Sequence, residues 1–202
     1  TTKVWDCAEV FDVAKVVAVN GIDAGKAQYE PILENLKTTF GARFFPINIP
    51  TNPGTSYSEM LDVIRKAKRT YKTDGSGKYD EAKAAGEEGE QVDQLHTELI
   101  ELVAESDDTL LEKFFDEGIT EEELRGGLHK AFQSQTFIPV FFTSSETNVG
   151  VARLMDFISK YASSPDDHME TVAQNVDGEE VTISLDDKEA AAFVFKTINE
   201  SH

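Results

Sequence analysis

Cysteine occurs once, at Cys7, and tryptophan once, at Trp5, in a chain of 202 residues. One cysteine excludes an intrachain disulfide and any cysteine cluster for zinc or iron–sulfur. Cys7 is read here as a small buried apolar residue. The four histidines, His96, His129, His168 and His202, fall at no metal-ligand spacing, so no metal site is expected. No apolar run is long enough to cross a bilayer and no signal-peptide pattern is present. A cytoplasmic location is therefore expected. Positive charge is scarce: 19 Lys and Arg face 38 Asp and Glu, a net charge of −19. Such a surface repels nucleic-acid phosphates, which argues against autonomous RNA or DNA binding, and it attracts basic protein partners. No Ser–His–Asp or Cys–His arrangement stands out. What remains is 40% hydrophobic and 28% charged, a globular composition for one large domain or two small ones. The start at Thr1, without methionine, suggests a piece of a longer chain.

The hydrophobic periodicity reads as α/β grammar. Residues 2–11 form a predicted short helix with Val4, Trp5, Ala8 and Phe11 on one side. Residues 14–20 form a predicted buried strand. An amphipathic helix over 24–40 carries Tyr29, Ile32, Leu33, Leu36 and Phe40 at three- and four-residue steps, and Gly41 stops it. A second strand covers 43–49. Alternating helices and strands imply parallel strands with crossover connections. Residues 58–67 stay open. Ser56 and Glu59 have capping-box spacing, which suits a helix, while Val63, Ile64, Thr70 and Tyr71 suit a hairpin. The Gly-, Lys- and acid-rich stretch 72–89 reads as an exposed, mobile loop.

Three helices follow, the third announced by the capping box Thr120–Glu123. Residues 137–143 form a third buried strand. A helix over 149–161 turns Val151, Leu154, Met155 and Ile158 inward. Residues 163–167 are a linker, and 181–185 and 191–197 read as strands. Two strands alone are marginal, so a β domain extending further is expected.

Two loops carry chemistry. Asn20-Gly21-Ile22-Asp23 follows the first strand, and a carboxylate there can accept paired hydrogen bonds from the N1–H and exocyclic amine of guanine. Adenine lacks that donor pair. Asn20 is suited to tie this loop to a neighbour. Thr143-Ser144-Ser145 follows the third strand, where backbone N–H groups can meet the guanine carbonyl oxygen. Taken alone, each loop is more simply a strand-to-helix turn. Both in one chain, each after a parallel-type strand, favour a base-binding pair. Residues 21–27 superficially resemble a phosphate loop, but the spacing is one residue short and Ala27 replaces the magnesium-ligating hydroxyl. Glu98, Glu101, Glu105, Asp108 and Glu112 step by three and four, an acidic stripe if one helix carries them all. Its like-charge cost suggests a docked partner, though a solvated face is the simpler reading.

Together these residues resemble translation elongation factor G and its bacterial paralogues. Thr2-Lys3-Val4-Trp5, the first strand and Asn20-x-x-Asp23 are similar to that family's fourth GTPase motif with its preceding helix. Residues 142–151 resemble the fifth motif, and Leu95-His96-x-x-Leu99-Ile100-Glu101 resembles the G′ insert helix between the two. Tyr161–Asp166 resembles the exit from the G domain, and Ala192–Lys196 the opening strand of the β-barrel domain. The resemblance implies the C-terminal part of a P-loop GTPase-type parallel sheet (1–50 and 137–163). A mixed α+β G′ insert (51–136) would interrupt it, and linker and first strands of a truncated β-barrel would follow (164–202). It implies a parent that hydrolyses GTP and translocates tRNA and mRNA on the ribosome. It places Asn20, Asp23, Ser144 and Ser145 at the guanine, and Glu98, Glu101 and Glu105 against the ribosomal stalk protein. Gly21 stands where the family usually has lysine, and Ser145 where it has alanine. The first three GTPase motifs are not found in these residues. GTP or GDP with magnesium is thus expected in the parent only, and this chain alone is expected neither to bind GTP well nor to hydrolyse it. The alternative is an acidic interaction module that docks a protein partner.

Overall fold

The computed structural model describes residues 1–25, 27–41, 43–116, 118–164, 167, 170–194 and 196–199, with the side chains of 108, 115 and 116 left undescribed. The fold is α/β and divides into two units, Thr1–Ala162 and Ser163–His202.

The first unit begins with α1 (Thr2–Val10), β1 (Val17–Asn20), α2 (Tyr29–Phe40) and β2 (Phe44–Pro46). β3 (Asn48–Pro50), β4 (Glu59–Asp62), β5 (Ala67–Tyr71) and β6 (Tyr79–Lys83) follow. Then come α3 (Gly86–Ala104), α4 (Asp108–Asp116), α5 (Glu121–Gln133), β7 (Ile138–Thr143) and α6 (Val151–Tyr161). A parallel sheet has the order β1-β7-β2, and an antiparallel sheet the order β3-β4-β5-β6. The second unit holds β8 (Glu170–Gln174) paired antiparallel with β9 (Glu180–Ser184).

β7 organises the first unit. It is apolar, central and buried throughout, as a strand covered on both faces must be. Phe137 and Phe141 point into one core with Leu61, Leu99, Leu128 and Phe157. Ile138, Val140 and Phe142 point into a second core with Ile22, Phe44, Tyr57 and Met60. β1 departs from the expected buried strand. It alternates between half-buried and exposed residues because it pairs only with β7.

The strand expected over 43–49 divides at Ile47. Phe44–Pro46 pairs with β7, whereas Asn48–Pro50 pairs with β4. One short segment thereby joins the two sheets. Residues 58–67 resolve as a hairpin, not a helix. Asn52 accepts the Ser58 and Glu59 N–H groups (3.2 and 2.8 Å), and Glu59 pairs with Lys68 (3.0 Å), so neither end of a capping box forms. Stretch 72–89 is not a loop throughout: β6 lies within it and α3 begins at Gly86. β6 is polar because it is the edge of its sheet, and Arg69 reaches its register partner Glu81 at 2.9 Å.

The helices follow their expected places with three corrections. α2 starts at Tyr29, later than expected: before it, the Gly21 and Ile22 N–H groups bond Thr143 O, and those of Ala24 and Ala27 close turns. α1 buries no residue fully: Val4 and Phe11 are exposed, while Trp5 and Ala8 are half-buried, Trp5 stacking on Phe44 with centroids 5.5 Å apart. Cys7 is exposed on this helix, not buried. In α6 Arg153, Phe157 and Tyr161 are buried and Leu154 packs half-buried against the first core as expected, while Met155 and Ile158 are exposed. The face is turned because Asp62 draws Arg153 inside, with Arg153 Nε 2.6 Å from its carboxylate. The capping box of α5 is present in both directions: Thr120 Oγ1 accepts the Glu123 N–H (3.3 Å), and Glu123 accepts the Thr120 N–H (3.1 Å).

In the second unit β8 precedes the expected strand, and the described residues of 191–197 form none. Phe193 and Val194 are exposed there, without a partner strand among the described residues; Phe195 lies outside them. No described helix is long and apolar enough to cross a membrane.

Candidate functional site

β1 and β7 run parallel with Asn20 opposite Thr143, so the loops that follow them emerge side by side. Asn20 joins them through both ends of its amide. Its Oδ1 accepts the Ser145 N–H (2.8 Å), and its Nδ2 donates to Ser145 Oγ (3.0 Å). Gly21 and Ile22 then donate their N–H groups to Thr143 O (3.0 and 3.3 Å). The four residues expected at a base, Asn20, Asp23, Ser144 and Ser145, thus share one end of the parallel sheet.

The first loop is built around Gly21 and Ile22. Gly21 has φ +88°, a region that side-chain-bearing residues seldom adopt, although the space around it is open. Backbone geometry therefore accounts for glycine there. Ile22 is buried and anchors the loop in the second core. Ile22 O accepts the Gly54 N–H at 2.8 Å, so the connection between β3 and β4 braces the loop. Asp23, the next residue, is half-buried, and its carboxylate has no hydrogen bond or ion pair among the described residues. It is a two-oxygen acceptor available to a ligand.

The second loop is closed on itself. Ser144 and Val149 exchange backbone hydrogen bonds at 3.0 Å, and Ser144 Oγ accepts the Thr147 N–H (3.1 Å). The N–H groups expected to face a carbonyl oxygen are therefore largely engaged: that of Ser144 by Val149, that of Ser145 by Asn20. The Glu146 N–H has no acceptor among the described residues. Gly150 caps α6 with φ +79°, and a Cβ there would stand 2.9 Å from Phe142 O, so the loop needs glycine at its exit.

Residues that sequence reasoning missed support the end of β7. Asn48 is fully buried between the two sheets. Its Oδ1 accepts the Phe142 N–H (2.8 Å) and its Nδ2 donates to Phe142 O (2.9 Å), as a neighbouring strand would. Tyr57 also donates to Phe142 O (3.2 Å). Burial first, then the nearby Tyr71 and Asp23, push the Tyr57 phenol far above its ordinary pKa, so it remains a donor. Asn148, at φ +57°, reaches Gly75 O (3.3 Å) in the β5–β6 turn. An asparagine inside the apolar run 44–49 was the available signal, because a buried amide needs partners.

Along residues 21–27 most of the described N–H groups are already engaged. The N–H groups of Gly21, Ile22, Ala24 and Ala27 are all spent on backbone carbonyls, and Lys26 lies outside the described residues. Among the described residues no cluster of three or more His, Cys, Asp or Glu could hold a metal ion.

The acidic residues form a separate surface. Glu101 and Glu105 are exposed and without ion-pair partners among the described residues, whereas Glu98 is half-buried and takes a hydrogen bond from Gln94 (3.0 Å). The stripe does not continue on one helix. α3 ends at Ala104 and α4 starts at Asp108, so Glu112 belongs to another helix, and the side chain of Asp108 lies outside the described residues.

No family model matches the chain. Among solved structures it is similar to a crystal structure of a protein from Thermus thermophilus. The identity is 30% and the TM-score 0.74, over 85% of this chain and 26% of the other. The chain thus spans about a quarter of that protein's length and shares its fold over that part.

Proposed function

We propose that this chain is part of an elongation factor G-like translational GTPase, carrying the half of its nucleotide site that reads guanine. The carrying observation is the Asn20–Ser145 clamp at the end of two parallel strands, with the free carboxylate of Asp23 beside it. A carboxylate held there can accept two hydrogen bonds from one purine edge, which guanine offers and adenine does not. In such a factor the phosphates and magnesium are held elsewhere, and binding and hydrolysis of GTP belong to the whole protein, which acts in translocation on the ribosome. Gly21 in place of the family's lysine removes a side-chain stem from the base, so guanine binding by this chain alone is weak. The coding sequence on either side tests the reading. A G-x-x-x-x-G-K-[ST] loop encoded upstream is expected, and a reading frame without one would overturn it.

A second reading rests on α3. Glu101 and Glu105 are exposed and unpaired among the described residues, which suits contact with the ribosomal stalk protein or another protein partner. Charge reversal, Glu101→Lys with Glu105→Lys, should abolish capture of the purified stalk protein. Unchanged capture would remove this face from the account. The two readings are compatible.

A further inference from the structure

One groove reverses the sign of this acidic chain. It lies between the β4–β5 turn, α3, α5 and α6, with a cavity volume of about 510 Å³. Its floor is apolar, formed by Ile64, Ile100, Leu124 and Leu128. Four cations line it, Arg65, Lys66, Arg125 and Lys160, against two carboxylates, Glu81 and Glu121. Arg65 and Lys66 are engaged, at 3.7 Å from Glu81 and 2.6 Å from Asp93. Arg125 and Lys160 have no acidic partner among the described residues. The phenol of Tyr161, which also lines the groove, makes no hydrogen bond among them.

We propose that this groove binds a small amphipathic anion, an apolar body ending in a carboxylate, with Arg125 and Lys160 at the carboxylate and the leucine and isoleucine floor under the body. The volume falls within the range of small-molecule sites, roughly 300–1,000 Å³. The charge balance selects the occupant. A polyanion seated here would bring many of its charges within the Debye length, about 8–10 Å, of a surface whose net charge is −19, which disfavours an acidic protein or nucleic acid. A small monoanion meets the local excess of cations with little of that repulsion. A neutral apolar ligand would leave both unpaired cations unused. The site is separate from the guanine loops and does not depend on the reading given to them.

The test is titration of the isotope-labelled 202-residue chain with octanoate, followed by heteronuclear NMR. Saturable shifts are expected in residues 64–66, 119–128 and 160–161. Octanol should bind more weakly. The double variant Arg125→Gln/Lys160→Gln should bind octanoate roughly tenfold more weakly, about threefold for each partly exposed charge contact. Both residues are exposed, so this variant folds. Butyrate, with less apolar body, should also lose affinity. Non-saturable shifts, shifts centred elsewhere, or equal binding of octanoate by the parent and the double variant would each overturn the proposal.

Discussion

Asp62 lies fully buried between two arginines that are themselves almost completely buried, Arg69 from β5 and Arg153 from α6. Arg153 Nε stands 2.6 Å and Arg69 Nη2 3.2 Å from its Oδ2. Arg69 also reaches the half-exposed Glu81 at 2.9 Å and lies over the Tyr79 ring, 4.6 Å from its centroid. Arg153 has no acid other than Asp62 among the described residues. The substitution Asp62→Asn therefore strands one buried guanidinium and half-strands another. Removing one partner of a buried pair costs about 3–5 kcal/mol. For a unit of this size that lowers Tm by roughly 6–20 °C, at about 2–4 °C per kcal/mol. Arg153→Met should cost less, about 1.5–3 kcal/mol, because Asp62 keeps Arg69. The triple change Asp62→Leu/Arg69→Met/Arg153→Met should return close to the parent stability, since no buried charge is left unpaired. Urea denaturation monitored by far-ultraviolet circular dichroism and by Trp5 fluorescence measures all three. An Asp62→Asn variant within about 1 kcal/mol of the parent, or a triple variant worse than Asp62→Asn, would refute this reasoning.

Other expectations follow from the same structure. A methyl group at Gly127 would meet Val103 at 2.5 Å and Leu110 at 2.7 Å. Gly127→Ala should thus destabilise, because overpacking of about 1–3 kcal/mol exceeds the helix-propensity gain of about 1 kcal/mol; a raised urea midpoint would contradict it. The Lys113 ammonium and the Thr120 N–H and hydroxyl hold the Glu123 carboxyl at a pKa of about 2, below its ordinary value. Its contribution to stability is complete above the ordinary glutamate value of 4.5 and is lost as pH falls toward about 2. An ordinary glutamate pKa in a carboxyl-detected NMR titration would contradict this arrangement. Asn20→Ala removes both bonds to Ser145, so the Ser145 amide should exchange with solvent about tenfold faster, the equivalent of about 1.4 kcal/mol. Unchanged exchange would mean that the clamp does not hold the loop.

Much of this architecture is legible from local chemistry. β7 is an uninterrupted apolar run, and such a run belongs in the middle of a sheet. The Thr120–Glu123 box announces α5 because both halves of the cap are local. The errors arise where long-range pairing outweighs local pattern. Residues 56–59 have the spacing of a cap, yet Asn52 and Lys68 capture the groups the cap would need. α6 turns by about one residue because a buried aspartate from another sheet pulls Arg153 inward. β6 looks like a loop because an edge strand is free to be polar. At the site, the partnership of Asn20 with the second loop was readable from residue type and spacing. The bracing by Asn48 and Tyr57 was not, because it depends on two sheets meeting at one carbonyl.

The central claim is that Asp23 reads a guanine edge. Its most direct test is the base preference of the protein encoded by the complete reading frame, before and after Asp23→Asn. An amide at this position can accept from the N1–H of xanthine and donate to its 2-oxo group, whereas it opposes the guanine amine with a second donor. Equilibrium binding should therefore shift from guanosine to xanthosine diphosphate with Asp23→Asn. An unchanged preference for guanosine diphosphate, or no preference between guanosine and adenosine diphosphates in the parent protein, would contradict the account.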